Sequence, residues 1–179
     1  MAKKPFVTLA YVASVNGKIT LGQNPAVTAW NSKEDRAHFS KLVKEHPVII
    51  LSSAAYEPIK KYLKHQKGKL RLVMTRHPQK YAEDTIPGQL EFTSKSPQAL
   101  VADLKSRGVK KILLATGGQL TAKFLQAKLV DRLLLTLEPQ LFGSGTPLIA
   151  ESALRVTLKL LKVTRLNAQG TLLLTYKIE

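Results

Sequence analysis

Three observations predict an α/β protein with a mostly parallel sheet, helices on both faces and an antiparallel edge. Short apolar runs at 48–51 and 112–115 are continuous rather than alternating, as expected of strands covered on both sides, and 70–74 and 132–138 read as further strands. Between them lie segments that repeat apolar residues at helical spacing, and strand and helix in alternation call for parallel pairing. The chain then closes with two apolar segments, 156–166 and 171–178, around Asn167-Ala-Gln-Gly170, the composition of a hairpin turn.

In order, residues 6–13 (FVTLAYVA) form a first strand rich in β formers, left through the turn pair Asn16-Gly17. Residues 18–29, with Gly22, Asn24 and Pro25, read as a loop. Asn31 or Ser32 caps a helix from 33 to 46, with Glu34 and Asp35 in the first turn where the dipole favours acids, and Pro47 stops it. The strand 48–51 leads through Ser52-Ser53 into a helix whose Tyr56, Ile59 and Leu63 share a face, Pro58 being tolerated in its first turn. A strand at 70–74, a polar connection at 78–89 and a strand at 90–93 follow. Ser96-Pro97 opens a helix carrying Leu100, Val101 and Leu104, closed by Gly108. The strand 112–115, a helix at 118–128, the strand 132–138 and a glycine-rich turn at 141–147 (LFGSGTP) precede the hairpin. GSG at 143–145 reads as a flexible turn, since no helix pattern follows it.

At 179 residues the chain suits one core, so a single domain spanning 1–179 is expected. There is no cysteine, which excludes disulfides and thiolate chemistry, and His38, His46, His65 and His77 are scattered without metal-ligand spacing, so no metal is expected. No run approaches the length of a membrane span and the N-terminus lacks a signal-peptide core; a cytoplasmic protein without a membrane partner is expected. The excess of 28 Lys+Arg over 12 Asp+Glu gives +16. That excess attracts polyanions, yet the lysines are dispersed and not interleaved with aromatic residues, so a phosphorylated small-molecule substrate is expected rather than nucleic acid.

Two stretches carry candidate chemistry. In KILLATGGQLTAKFL (111–125) Gly117 and Gly118 stand between a strand and a helix; the pair either lets a phosphate approach the first amides of the helix or merely turns the chain. On the helix 33–46, Phe39, Leu42, Val43 and His46 define an apolar side that reaches back to Asp35, whereas Glu34, His38, Lys41 and Glu45 define a polar one. Asp35 is thus a carboxylate on an apolar face beside the only tryptophan. It is either a functional acid with a raised pKa or a cap at the rim of the core. Thr75-Arg76 at a strand end and the hydroxyls of Ser52-Ser53 are further anion-binding candidates.

Taken together, Trp30-Asn31 ahead of Asp35 and Phe39, then VIILSSAAYEPI, LRLVMTR, TGGQLTAKFL, VDRLLLT and GSGTPL, occur in an order that resembles the dihydrofolate reductase fold. The C-terminal half, with AYVASVNGKI near the start, is most similar to the reductase domain of riboflavin biosynthesis and its stand-alone relatives. The resemblance implies a three-layer dihydrofolate reductase-like fold that binds NADPH across the carboxyl ends of the strands, and a homodimer. It implies that Gly117 and Gly118, flanked by Thr116, Gln119 and Leu120, meet the cofactor pyrophosphate. Ala13 and the turn Ser52, Ser53, Ala54 would complete the cofactor site, with Thr75 and Arg76 near the adenosine 2′-phosphate. Asp35 would anchor the substrate and assist its protonation, supported by Thr136. Trp30, Phe39, Asn16 and Lys18 would contact substrate.

The chain also departs from these patterns. Riboflavin-type reductases carry Asp-Gly-Lys where this chain has Asn16-Gly17-Lys18, a glutamate where it has Ala115, and an Asp-Asp-Pro near residue 59; folate enzymes carry a basic residue and a threonine at the turn that here is Ser-Ser-Ala-Ala. The expected function is an NADPH-dependent reductase of a small nitrogen heterocycle, of the 5-amino-6-(5-phosphoribosylamino)uracil reductase kind. A dihydrofolate or pterin reductase is the alternative, and a basic nucleic-acid-binding domain the alternative of another class.

Overall fold

In a computed structural model that describes residues 3–150 and 152–179, eight strands form one sheet in the order β4-β3-β2-β5-β1-β6-β8-β7. They are β1 (Phe6–Ser14), β2 (Val48–Ser52), β3 (Leu70–Met74), β4 (Leu90–Thr93), β5 (Lys111–Ala115), β6 (Arg132–Glu138), β7 (Leu158–Arg165) and β8 (Leu172–Ile178). β1 to β6 run parallel, while β8 is antiparallel to both β6 and β7. The expected parallel sheet with an antiparallel C-terminal edge is present.

Successive side chains of a strand point to opposite faces, and the apolar runs of the central strands therefore build two cores. Val48 and Ile50 of β2 face one way, with Val7, Leu9, Leu100, Leu104 and Phe124. Ile49 and Leu51 face the other, with Leu42, Tyr56, Val73 and Leu113. Right-handed crossovers decide which helix covers which face. Connections running toward β4 place α1 (Lys33–Glu45) and α2 (Ser53–Tyr56) on the second face; those running back toward β6 place α3 (Pro97–Ser106) and α4 (Gly118–Gln126) on the first. Leu100, Leu104 and Phe124 are fully buried, each worth about 1.5–3 kcal/mol of apolar transfer.

Ser32, Ser52 and Ser96 cap α1, α2 and α3, each accepting a backbone N–H three residues on. Pro97 opens α3, and Gly108 follows it at φ 75°. Two expectations fail here. The helix expected to carry Tyr56, Ile59 and Leu63 ends at Tyr56, because the ring of Pro58 clashes with a continuing turn; Ile59 is 37% exposed and a separate 3-10 turn spans Lys60–Tyr62. The buried stripe of α1 is also rotated from the expected one. Asp35, Leu42 and His46 are buried as expected, but His38 joins them half-buried, and Phe39 lies at the rim with 37% exposure.

Candidate active site

All six parallel strands end at one edge of the sheet, and there the chain leaving β2 turns toward β3 while the chain leaving the neighbouring β5 turns the opposite way, toward β6. The crevice opened by that divergence is where open α/β sheets bind ligands. Its rim is made of Ser52-Ser53 after β2 and Thr116-Gly117-Gly118 after β5. Two strands over, at the end of β6, α1 starts with Asp35 in its first turn.

Asp35 is 5% exposed. Asn31 Nδ2 donates to its Oδ2 at 2.7 Å, the Thr136 hydroxyl bonds it from β6, and its own N–H donates to the Ser32 cap at 3.2 Å. Burial pushes its carboxyl above the usual carboxylate range, and the nearby charge of Glu138 adds to the rise; the bonds from Thr136 and Asn31, and His38, oppose it. A carboxyl in that condition holds a proton at a pH where ordinary carboxylates have released theirs, which is what a proton donor to a bound heterocycle needs. Of the two readings of Asp35, the cap at the rim of the core fails, because Ser32 caps the helix by accepting the Asp35 N–H; the residue is a buried, perturbed acid. His38, one turn along on the same stripe, has its pKa lowered by burial, and its Nε2 finds no hydrogen-bond partner among the described residues.

Glu138 is the site residue that the sequence reading missed. It is 2% exposed; its Oε1 accepts the Ser32 N–H at 2.8 Å and its Oε2 accepts the Thr171 hydroxyl at 2.7 Å. It therefore ties the start of α1 to the end of β6 and to the C-terminal hairpin, where Asn167 continues the network to Thr171 and to Glu34. The signal was available: Thr136 and Glu138 stand two apart on one strand and so share a face. A cavity of about 560 Å³, lined by Trp30, Ser32, Glu138, Asn167 and Thr171 among others, opens beside this network.

The cofactor-side candidates have a different character. Gly117 is the N-cap of α4 in extended backbone, and among the described residues no side chain caps this helix, in contrast to the three serine-capped ones. A Cβ at Gly117 would meet nothing within 4 Å, so the turn is open there. At Gly118 the space a Cβ would occupy is taken by the chain itself. A Cβ on Gly118 would lie 2.8 Å from Ala150 N and 3.0 Å from Pro147 O, so the close approach is made by the chain's own loop after β6. Beneath the turn, Thr116 is buried and its hydroxyl lies 2.8 Å from that of Thr121, which lies 2.5 Å from the Tyr11 hydroxyl. Burial raises Tyr11 to about 12, so it stays protonated. Gln119 is exposed and Leu120 half-buried. Ser52 spends its hydroxyl on capping α2, Ser53 is half-buried and Ala54 exposed, Thr75 accepts the His77 N–H at 3.2 Å, and Arg76 is exposed at the end of β3. Ala13 is fully buried within β1.

The substrate-side aromatics divide. Trp30 is 8% exposed, packed edge-on to Phe142 at 5.1 Å between ring centroids, with its Nε1 unpartnered among the described residues. Phe39 is open to solvent at the rim. Asn16 turns its amide toward the loop after β6, and Lys18 pairs its backbone with Pro147. GSG at 143–145 is also not the flexible turn expected. Gly145, at φ 148°, is pressed onto the loop after β1 so closely that a Cβ there would lie 2.1 Å from Thr20 O.

A sheet of this order, with helices on both faces and an antiparallel C-terminal pair, is the dihydrofolate reductase-like fold. The chain belongs to the RibD C-terminal domain family, whose model matches residues 5–172, and membership places it among reductase-type proteins. It is 26% identical over 135 residues to protein YwjB of Bacillus subtilis, covering 74% of this chain and 71% of that one. Among solved structures it resembles a putative riboflavin biosynthesis protein from Shewanella sp. PV-4, with a TM-score of 0.77, 18% identity, and 97% and 99% of the two chains covered. It also resembles a diaminohydroxyphosphoribosylaminopyrimidine deaminase/5-amino-6-(5-phosphoribosylamino)uracil reductase from Thermotoga maritima, with a TM-score of 0.74 and 14% identity. That likeness covers 98% of this chain but 57% of the Thermotoga chain. No helix among the described residues is long and apolar enough to cross a membrane.

Proposed function

We propose that the protein is an NADPH-dependent reductase of a small nitrogen heterocycle, of the riboflavin-pathway pyrimidine kind. One observation carries the reading: Asp35 is a buried acid with a raised pKa at the carboxyl edge of the sheet, bonded by Thr136 and Asn31. The uncapped first turn of α4 suits the cofactor, since its open amides at Gly117 match a pyrophosphate, with Arg76 exposed at a neighbouring strand end for a further phosphate. Thr116, Gly117 and Gln119 would hold the nucleotide; Gly118 supports the turn from behind. Bound NADPH supplies a hydride. The chain's own part is to orient the heterocycle by hydrogen bonds from the Asp35 carboxyl, to exclude water with Trp30 and Phe142, and to deliver a proton from Asp35 to the nitrogen of the C=N bond whose carbon takes the hydride.

The test is thermal melting with NADPH, with NADH and with neither. A nucleotide at a hundred times its dissociation constant stabilises by about 2.7 kcal/mol, and absence of any response to either would sink the reading. Asp35→Asn is expected to abolish turnover of the pyrimidine while NADPH binding is retained. Melting that ignores NADPH but rises with single-stranded nucleic acid in a salt-sensitive manner would instead favour a polyanion-binding domain.

A homodimer is part of the same proposal. Leu158, Leu160, Leu161 and Val163 on edge strand β7 are 40–51% exposed, an apolar row that a second copy would cover. Light scattering should give twice the chain mass, falling to one chain mass in Leu161→Lys.

A further inference from the structure

Asn16 commits both acceptor positions of Oδ1 and one Nδ2 hydrogen to the chain itself. Its Oδ1 accepts the Ser14 hydroxyl at 2.8 Å and the Phe142 N–H at 3.1 Å, and its Nδ2 donates to the Phe142 carbonyl at 2.8 Å. The orientation of the amide is fixed by its partners, because a backbone N–H can only donate and a backbone carbonyl can only accept. Asn16 thus satisfies both main-chain groups of a residue 126 positions away.

Around that contact the two loops are joined along their length. Ile19 N–H donates to Thr146 O, Leu148 N–H to Gly17 O and Gly22 N–H to Ser144 O, and Thr20 Oγ1 accepts the Thr146 N–H at 2.8 Å. Gly145 lies flat against Thr20 O, and the continuation of the loop at Pro147–Ala150 fills the space beside Gly118. From Phe142 the ring reaches Trp30, whose carbonyl is held by Gln140 Nε2 at 2.9 Å. One loop therefore touches both the start of α4 and the aromatic pair beside Asp35, and Asn16 is the side chain that fastens it at Phe142.

We propose that Asn16 is a positioning residue. It locks the loop after β1 onto the loop after β6, and through the latter sets both the first turn of α4 and the Trp30–Phe142 pair, instead of binding substrate. The role demands a group that donates and accepts at once, which explains why an amide stands where a carboxylate would be expected. A carboxylate here would keep the bond from Phe142 N–H but set a second oxygen against the Phe142 carbonyl; once protonated, its O–H donates to that carbonyl and the pair is restored.

The experiment is the melting temperature of wild type, Asn16→Asp and Asn16→Ala between pH 8 and pH 4.5, together with NADPH affinity by nucleotide fluorescence at pH 7.5. At pH 7.5 both variants should melt roughly 2–4 °C below wild type and bind NADPH several-fold more weakly. Toward pH 4.5 the Asn16→Asp deficit should shrink while that of Asn16→Ala persists, a signature that general loss of structure does not give. An Asn16→Asp deficit that is absent, or that does not change with pH, overturns the proposal, as does wild-type NADPH affinity in both variants. The affinity arm rests on the cofactor reading above. Failure of wild type to bind NADPH would count against that reading alone, because the pH-dependent melting still decides the role of Asn16.

Discussion

The two ends of the crevice are built on opposite plans. Around Asp35 the side chains are bonded to one another: Asn31, Thr136, Ser32, Glu138, Thr171 and Asn167 form a connected, largely buried network, with Trp30 Nε1 and His38 Nε2 left over beside it among the described residues. Around Gly117 the backbone is left open at the start of an uncapped helix, with hydroxyls packed beneath it instead of over it. A network closed on itself holds a reacting group in place before ligand arrives, so orientation costs little when chemistry occurs. An open helix start does the reverse: it leaves donors for a ligand to complete. The site thus separates rigidity, on the side of Asp35, from unsatisfied binding capacity, on the side of Gly117.

The strongest way to break this contrast is to disturb what joins the two ends. Gly145→Ala sets a Cβ 2.1 Å from Thr20 O at a backbone angle that side chains rarely adopt, and should cost about 3 kcal/mol in denaturant melts. Next, Glu138→Ala leaves the Ser32 N–H and the Thr171 hydroxyl without their acceptor; a loss of about 2 kcal/mol is expected. Glu138→Gln keeps the shape but removes the charge, and should return the Asp35 carboxyl toward its ordinary range in a carbon-detected NMR titration.

Asp35→Asn should raise stability instead. The folded carboxyl titrates above its unfolded value, so the native state binds the extra proton, and its stabilising effect is complete below the unfolded pKa and lost as pH rises through the folded one. Above the folded pKa the charged group is therefore a burden, and its replacement by a neutral amide should raise the melting temperature there. Near pH 4 the gain should fade. The smallest effect on stability is expected from Gly117→Ala, within about 0.5 kcal/mol because nothing lies within 4 Å of the new methyl. Its NADPH affinity should nonetheless fall, and an unchanged affinity would remove Gly117 from the cofactor site.

The sheet was legible because a strand covered on both faces leaves an unbroken apolar run, as in residues 48–51 and 112–115. Ser32, Ser96-Pro97 and Gly108 marked helix ends through local chemistry alone. α2 was misjudged because its apolar spacing continues past Pro58, and the ring outweighed the pattern. The face of α1 was misjudged because Phe39 is apolar and His38 is not; near a crevice, an aromatic at the rim and a half-buried histidine invert the usual sorting. Asp35 was found because a carboxylate on an apolar stripe is anomalous. Asn16 and Gly145 gave no local sign of their roles, since each is defined by a loop more than a hundred residues away in sequence.

The strand order also governs how the chain assembles. β5 lies between β1 and β2, yet it is the fifth strand made. Until it arrives, β1 and β2 each hold an unpaired inner edge, and the two cores cannot close over the centre of the sheet. The emerging chain consequently carries unpaired strand edges at the centre of the sheet through the synthesis of β3, β4 and α3, and the central contacts, being far apart in sequence, form slowly. Arrest of synthesis just before Lys111 should yield an aggregation-prone species, and a chain extended past Glu138 should aggregate less.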